Sequence, residues 1–461
     1  MSSIDVSECY SAPPFYQIPR LGLIYFVTPQ QQYLIIVPDA LHPSIKAMDA
    51  IAAALKSSFS LHRENILYHA NHNHQFRRFD VEKMVKRIVP EVNKLKASAI
   101  EAEVGHFQAS SKGLIFNRRF LISKEIGKLC LGHKFRGKSN LELGTMEVTE
   151  QAIDWFLGAK LGREYDKGIV NSLNIKSNAV RTFTKELGET KIVSNGPIDT
   201  LLDWLIFRNS KTKENIGSIV RFSAHRNQCP QFLTKALSAA TNGAPSIFVI
   251  GTAGDGALLE ETDGSPDTDD KTISEMERIA GVMATRLIST YRSDKKFNPI
   301  GSFEMNKKIV GMEIAEDIRR YRGNADSVLN KWTEDYSSLE SSECTPIEFK
   351  KKRELAGRGE YLKHSAHYSD TIYSPVTVIK MNNIKILGLP GEILCDVGKE
   401  IKDSLRGENV IILSLCDDGR QAYVPHPDEY EFGGYEITNS RLSPKGVDML
   451  IGEAVKLWSS K

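Results

Sequence analysis

The chain has 461 residues, with 60 Lys and Arg against 58 Asp and Glu, so its formal net charge is only +2. Hydrophobic residues make up 41% and charged residues 26%, values that exclude a disordered, collagenous or coiled-coil protein. The near-neutral balance also argues against a dedicated nucleic-acid-binding protein, which usually carries a strongly basic domain. A chain of this length is expected to form two or three domains, or one large α/β unit.

The N-terminus and the cysteines indicate the compartment. The first ten residues lack the basic segment and the apolar run of a signal peptide. No window approaches 18 uncharged apolar residues, so the sequence predicts no stable membrane insertion. The six cysteines are scattered without a CxxC pair, which is typical of reduced thiols and not of a disulfide framework or a cysteine zinc site. We therefore expect a cytoplasmic protein.

Short apolar runs rich in β-branched residues alternate with helical patterns, which predicts an α/β fold with a mixed β-sheet core flanked by helices. An acidic loop is expected over 258–272. Strands are predicted over 34–37, 65–68, 218–222, 246–250, 384–389 and 410–413. Helices are predicted from Ser44 to Leu55, after a Thr272–Glu275 capping box, over the charged stretch from Glu348 to Glu360, and after the Ser443–Pro444 pair.

The most informative segment is an apolar strand that runs directly into Asn-His-Asn-His at residues 71–74. In an extended chain, residues two apart point to the same side, so His72 and His74 are expected to face one site. The alternative is a polar strand-to-loop junction without a ligand role. By the same parity His69 points the other way and is expected to be structural.

Two further strands end in residues that bind metals. His225 follows the strand over 218–222, and Glu392 follows a Pro-Gly turn after the strand over 384–389. Taken alone, His225 is a histidine at the rim of the sheet and Glu392 a surface carboxylate on a turn. Together with one histidine of the 71–74 segment they match the His₂Glu set of hydrolytic zinc sites. The Gly-rich turn over 251–256 lacks the spacing of a nucleotide-binding loop.

These elements occur in the order found in the neutral/alkaline non-lysosomal ceramidases, and the chain resembles that family from residue 65 to 436. The segment 71–74 resembles the family's Thr-His-Thr-His, and 117–119 its Asn-Arg element. Phe-Ser-Ala-His at 222–225, Gly-Thr-Ala-Gly-Asp at 251–255 and Leu-Pro-Gly-Glu at 389–392 are similar to three further motifs. The most specific likeness is the run from Tyr423 to Glu436, which has the register of the family's tyrosine and Tyr-Glu motifs.

The resemblance implies a zinc site and the residues around it. Zinc is expected to be held by His72, His225, Glu392 and Tyr423; if Tyr423 is a core residue instead, water or another ligand completes the site. The same resemblance places His74 and Tyr435 beside the metal, next to the scissile carbonyl or its oxyanion. It also implies that Arg118 reaches into the pocket and holds a polar or anionic substrate group.

One departure from the family affects the mechanism. The ceramidases carry a serine after the Gly-rich turn, whereas Ala257 stands at that position, followed by two leucines. A serine-dependent mechanism is therefore excluded there, and metal-activated water becomes the expected nucleophile. Asp255 is a candidate to orient that water or to act as the base; the alternative is a carboxylate that caps backbone N–H groups in the turn.

Two other departures concern the ends of the chain. The ceramidases continue into a C-terminal β-sandwich domain, which this sequence does not show, and the part over 1–60 is abbreviated relative to the family. We therefore expect residues 1–461 to form a single ceramidase-like catalytic domain, related to the ceramidases without being a true ceramidase.

The functional prediction is a zinc-dependent hydrolase that cleaves the C–N amide bond of a small N-acyl compound with metal-activated water. An acyltransferase or amide synthase, an ester hydrolase, and a non-catalytic zinc-binding protein remain open alternatives. The expected partner is a small acyl-amide substrate, with no nucleic acid and a possible homo-oligomer.

Overall fold

Apolar runs without alternation need two covered faces, and the sheets of the protein provide them. A computed structural model describes residues 1–10, 18–76, 79–123, 127–130, 139–140, 145–147, 191–194, 196–225, 229–258, 270–294, 296–321, 358, 369–406 and 408–460. The predicted helix over 348–360 and most of the acidic loop lie outside these residues, apart from positions 358, 258 and 270–272.

The strands of the described residues are β1 (Ser2–Asp5), β2 (Arg20–Val27), β3 (Gln32–Pro38), β4 (Ile66–Tyr68), β5 (Ala102–Ser110), β6 (Ile115–Asn117), β7 (Arg119–Ser123), β8 (Gly127–Cys130), β9 (Ser139–Asn140), β10 (Thr145–Glu147), β11 (Lys191–Ser194), β12 (Leu201–Asn209), β13 (Asn215–Phe222), β14 (Ser246–Ile250), β15 (Gly256–Leu258), β16 (Asn298–Pro299), β17 (Phe303–Glu313), β18 (Thr371–Met381), β19 (Ile384–Gly388), β20 (Glu392–Ile393), β21 (Val410–Leu413) and β22 (Tyr423–Val424). The α-helices are α1 (Ile45–Phe59), α2 (Val81–Ala97), α3 (Cys229–Ala240), α4 (Asp270–Ser293), α5 (Glu316–Tyr321), α6 (Cys395–Ser404), α7 (Tyr435–Thr438) and α8 (Pro444–Ser459).

Three sheets share one topology. Their strand orders are β1-β2-β3-β4, β14-β13-β12-β5-β16 and β17-β18-β19-β21. In each sheet an antiparallel pair is followed by a crossover helix and a strand parallel to the second member of the pair. We call these the first, second and third ββαβ units, over residues 20–68, 201–250 and 371–413. A parallel pair needs such a crossover, because a tight hairpin reverses the chain.

Alternate residues along each strand explain the continuous apolar runs. In β3, Ile35 and Val37 point to a core shared by all three sheets, whereas Leu34 and Ile36 point to helices α1 and α2. The second and third units repeat this division. Their helix-facing residues pack with α3 and α4 or with α6 and α8. The shared core contains Ile24, Ile35, Val37, Leu205, Ile219, Ile247, Val249, Ile379, Ile386, Ile411 and Leu413.

The six predicted strands are all present, and the helix starts are close to their predicted positions. Ser44 caps α1 by accepting a hydrogen bond from the backbone N of Ala47, and Ser443 caps α8 through Gly446. Helix α1 runs four residues beyond the predicted Leu55, and α4 begins at Asp270, two residues before Thr272. Among the described residues, no helix has the length and apolar character needed to cross a bilayer.

The carboxyl ends of the parallel strands meet in one region. The backbone N of Asp417, after β21, donates to the carbonyl of Tyr68 at the end of β4, and the backbone N of Ser414 donates to that of Ile250 at the end of β14. The three units therefore bring the loops that follow their strands together, which is where open α/β sheets place their ligands.

Candidate metal centre

His72 and His74 do come together, but not through an extended chain. Strand β4 ends at Tyr68, and His72 has a left-handed backbone with φ 63°. Its Nδ1 lies 2.9 Å from the carbonyl of Leu41, and its Nε2 lies 3.2 Å from Nε2 of His74. The two rings are therefore neighbours, as expected, but a bend at His72 and not an extended strand brings them together.

His225 is buried and held in the same way as His72. Its Nδ1 lies 3.2 Å from the carbonyl of Gly256, so a proton on Nδ1 leaves Nε2 as the acceptor or ligand atom. Nε2 lies 3.3 Å from Oε2 of Glu392. Burial, followed by the charge of Arg118, lowers the pKa of His225 to about 4, so the ring is neutral near pH 7 and able to bind a metal.

Glu392 lies between the two buried histidines. It follows Gly391, whose φ of 77° provides the sharp turn after β19. Oε2 lies 3.2 Å from Nε2 of His72 and 3.3 Å from Nε2 of His225. Burial opposes ionisation of this carboxyl, but the His72 and His225 rings hold its pKa well below the usual range.

The spacing of these atoms fits a metal ion. Neighbouring ligands of a tetrahedral zinc with bonds of 2.0–2.1 Å lie about 3.3–3.4 Å apart, close to the 3.2 and 3.3 Å measured here. The two buried imidazoles both direct Nδ1 to a backbone carbonyl and Nε2 to the carboxylate, as metal-ligating histidines do. Within the described residues, His74 joins His72 and His225 in one potential ligand group, and His42 joins His72 and Glu392 in another.

Tyr423 lies beside this group on a neighbouring strand. Strands β20 and β22 pair in parallel with Glu392 directly opposite Tyr423, so the two side chains start from adjacent backbone positions. The ring of Tyr423 is 6.5 Å from that of His225 and 5.6 Å from that of Tyr435, which begins α7. Burial and the Glu392 charge raise the pKa of Tyr423 well above its usual value, and Arg118 acts in the opposite sense.

The side chain of Arg118 is held by Glu436 and by the carbonyl of Gly254, and it contacts Tyr423. Its Nη2 donates to Oη of Tyr423 at 3.1 Å and to the carbonyl of Gly254 at 2.9 Å, while its Nε pairs with Glu436 at 3.0 Å. Arg118 and Glu436 are both buried. These contacts hold Arg118 against Tyr423; the substrate contact that the resemblance implies for Arg118 stays a prediction.

The next residue, Arg119, secures the loop that carries Tyr435. Its Nη1 lies 3.0 Å from Oε2 of Glu429, and its Nη2 donates to the carbonyl of Gly433 at 2.8 Å. Its Nε lies 3.6 Å from Oε2 of Glu436, so both arginines share that carboxylate. The sequence motifs that contain Arg119 and Glu436 carry no signal for this role, because only burial shows that these charges must be paired.

Asp255 links two segments of the site. Its Oδ1 accepts from the backbone N of Cys395, the first residue of α6, and its Oδ2 accepts from Nδ2 of Asn117 at 2.7 Å. Burial raises the pKa of this carboxyl. The contact with the start of α6 is the capping arrangement considered as the alternative for Asp255; the role as a base stays a prediction.

Ala257 lies next to the buried histidine of the second unit. It is fully buried on β15, opposite Phe116 of β6, and forms an isolated bridge with His225. A side chain at 257 thus begins close to the candidate metal ligands. His69, expected to be structural, is also buried, and its Nε2 accepts from the backbone N of Ile250 at 2.9 Å.

Comparisons with known proteins identify the fold. No family model matches the chain, and no curated protein does. Among solved structures, a neutral ceramidase from Pseudomonas aeruginosa is similar with a TM-score of 0.58 and 13% identity over 95% of this chain and 67% of that one. A ceramidase complexed with C2 is similar with a TM-score of 0.58 and 12% identity, over 95% of this chain and 69% of that one. The chain therefore has a mixed α/β fold like that of the neutral ceramidases, as predicted.

Proposed function

We propose that the protein is a zinc-dependent amide hydrolase that acts on a small N-acyl compound. The observation that carries this proposal is the convergence of His72, His225 and Glu392, whose ligand atoms lie 3.2 and 3.3 Å apart. Tyr423 is proposed as the fourth ligand, since it lies opposite Glu392 in the β20–β22 pair. The fold shared with proteins that are named ceramidases supports an amide as the bond that is cleaved.

A zinc ion held by these residues would act as a Lewis acid on the substrate carbonyl and lower the pKa of a bound water. His74 is the exposed member of the ligand group and is proposed to contact the substrate carbonyl. Tyr435 is half-buried beside Tyr423 and is proposed to donate to the developing oxyanion. Arg118 and Glu436 keep Tyr423 in place.

Ala257 supports water rather than a side chain as the nucleophile. Its methyl group carries no proton to abstract and no lone pair, and it lies beside His225. The same residue keeps a non-catalytic zinc-binding protein as an alternative. Acyl transfer, amide synthesis and ester hydrolysis use the same groups, and their substrates distinguish them. The single-domain organisation, the cytoplasmic location and a homo-oligomer stay predictions.

The test combines metal analysis with an amidase assay. We expect the purified full chain to bind one zinc tightly and to release amine from at least one member of a panel of N-acyl amines and N-acyl amino acids. His225→Ala removes a ligand and should reduce both zinc affinity and amine release by more than about 100-fold, because even outer-sphere changes cost 10–100-fold. His62→Ala alters an exposed histidine outside both ligand groups and is the matched control.

Each alternative has its own outcome. Tight zinc binding without turnover of amides or esters would support the non-catalytic protein, and condensation of a free acid with an amine would support synthesis. Absence of tight zinc binding, or wild-type amidase activity in His225→Ala, would contradict the proposed function.

A further inference from the structure

His42 is a site residue that the proposed function leaves unused. It follows β3 in the first unit, as His225 follows β13 and Glu392 follows β19 in the other two. Its side chain is 41% exposed, while those of His72 and Glu392 are 3% and 6% exposed. The ring centroid lies 5.4 Å from that of His72. His42 therefore stands on the solvent side of the candidate metal centre.

The two oxygens of Glu392 face different partners. Oε2 lies between Nε2 of His72 and Nε2 of His225, whereas Oε1 lies 3.8 Å from Nδ1 of His42. A separation of 3.8 Å is too long for a hydrogen bond. It suits two atoms that bind the same divalent cation, since bonds of 2.0–2.1 Å allow a separation of up to about 4.2 Å.

His72 is directed at the primary centre and is not able to bind a further ion beside His42. Its Nδ1 faces the carbonyl of Leu41 at 2.9 Å, and its Nε2 is directed at Oε2 of Glu392 and at His74. Among the described residues, an ion at His42 would therefore take one imidazole nitrogen and one carboxylate oxygen. A carboxylate that bridges two cations about 3.5–4 Å apart is the arrangement found in two-metal sites.

We propose that His42 and Oε1 of Glu392 form a second, weaker site for a divalent transition-metal ion on the solvent side of the primary centre. This inference rests on the proposed function, because it takes Oε2 to be committed to the primary ion. An imidazole and a carboxylate suit zinc and its neighbours in the first transition row. With two protein ligands among the described residues, one of them shared with the primary ion, the second site binds more weakly than the first.

The experiment is a titration of the metal-free full chain with zinc, read by calorimetry and by equilibrium dialysis with elemental analysis. The wild-type chain should bind one equivalent tightly and a second weakly. His42→Ala should keep the tight equivalent and weaken the second by about tenfold or more, and His62→Ala should keep both. Retention of the tight equivalent also shows that the His42→Ala site is folded; if cooperative unfolding is lost, His42→Gln takes its place.

The outcomes separate this inference from the proposed function. A single tight equivalent in the wild-type chain, or a weak equivalent that persists unchanged in both His42 variants, would overturn the second site and leave the proposed function standing. Loss of the tight equivalent in a folded His42 variant would assign His42 to the primary ion. That result would also overturn the second site. A wild-type chain without any tight equivalent would contradict the proposed function itself.

Discussion

On one side of the site, a backbone carbonyl fixes each of the rings of His72 and His225. On the other side, the guanidinium of Arg118 holds Tyr423, and Glu436 holds that guanidinium in turn. We call these the imidazole side (His72, His225 and Glu392) and the tyrosine side (Tyr423, Tyr435 and Arg118). The imidazole side depends on backbone positions at the ends of strands. The tyrosine side depends on buried charges, which are stable only while every partner is present.

The comparison shows that the same site combines two kinds of support with different sensitivities. A side chain removed from the imidazole side deletes a proposed metal ligand but leaves the strand ends in place. A side chain removed from the ion pairs of the tyrosine side leaves a buried charge without compensation. Metal affinity and folding stability should therefore respond to different residues, and four measurements test this separation.

The largest expected effect is on metal binding. Glu392→Gln keeps the shape of the side chain and removes the charge between the two buried histidines, so zinc affinity should fall by more than about 100-fold. Cooperative urea unfolding of the metal-free protein should be retained. Competition with a chelating dye gives the affinity. An unchanged affinity would mean that Glu392 is not a ligand.

Glu436→Gln should have the opposite profile. It removes the carboxylate charge that Arg118 and Arg119 share and that is fully buried, so the free energy of unfolding should fall by about 3 kcal/mol. Zinc affinity should fall by no more than about 10–100-fold, the range for a residue that positions a ligand, because Glu436 acts on Tyr423 through Arg118. Urea denaturation measures the free energy of unfolding of this variant and of Glu431→Gln, an exposed control in the same loop. Equal values for the two variants would contradict the separation of metal affinity from folding stability.

Acid titration tests the loops behind the imidazole side. Burial lowers the pKa of His69 to about 3, so the unfolded chain takes up this proton more readily than the folded protein. His69 therefore contributes fully to the free energy of unfolding above about pH 6.5. This contribution is lost as the pH falls toward 3, at up to about 1.4 kcal/mol per pH unit. His69→Gln should flatten the dependence of the unfolding free energy on pH in this window by that amount. The same slope in the variant would show that His69 titrates normally.

The smallest effect is expected next to His225 on the imidazole side. Ala257→Ser adds a hydroxyl to a fully buried position and should cost about 1 kcal/mol. If water is the nucleophile, amide cleavage should change by less than about threefold, because the hydroxyl is not part of the mechanism. A large gain in the rate would show that a serine at this position can still act. Thermal denaturation and steady-state kinetics give the two values.

The sequence allowed prediction where local pattern and chemistry agree. Signals in single segments predict all six strands and the Ser44 and Ser443 caps. The ordered motifs predict that four side chains meet, those of His72, His74, His225 and Glu392. The bend at His72, the contact of Arg118 with Tyr423 and the place of His42 lack such signals, because they depend on which strand ends become neighbours. The three ββαβ units have no visible sequence repeat, since their shared topology needs only apolar strands and crossover helices.

The positions of the proposed ligands along the chain would set the order of events when the chain is made. Of the proposed ligands, His72 follows the last strand of the first unit, His225 lies in the second unit and Glu392 in the third, and 167 residues separate the last two. A growing chain that ends before the third unit holds imidazoles but no carboxylate to complete the set. Because such distant contacts form late in folding, high-affinity metal capture should mark the completion of synthesis rather than guide its early steps.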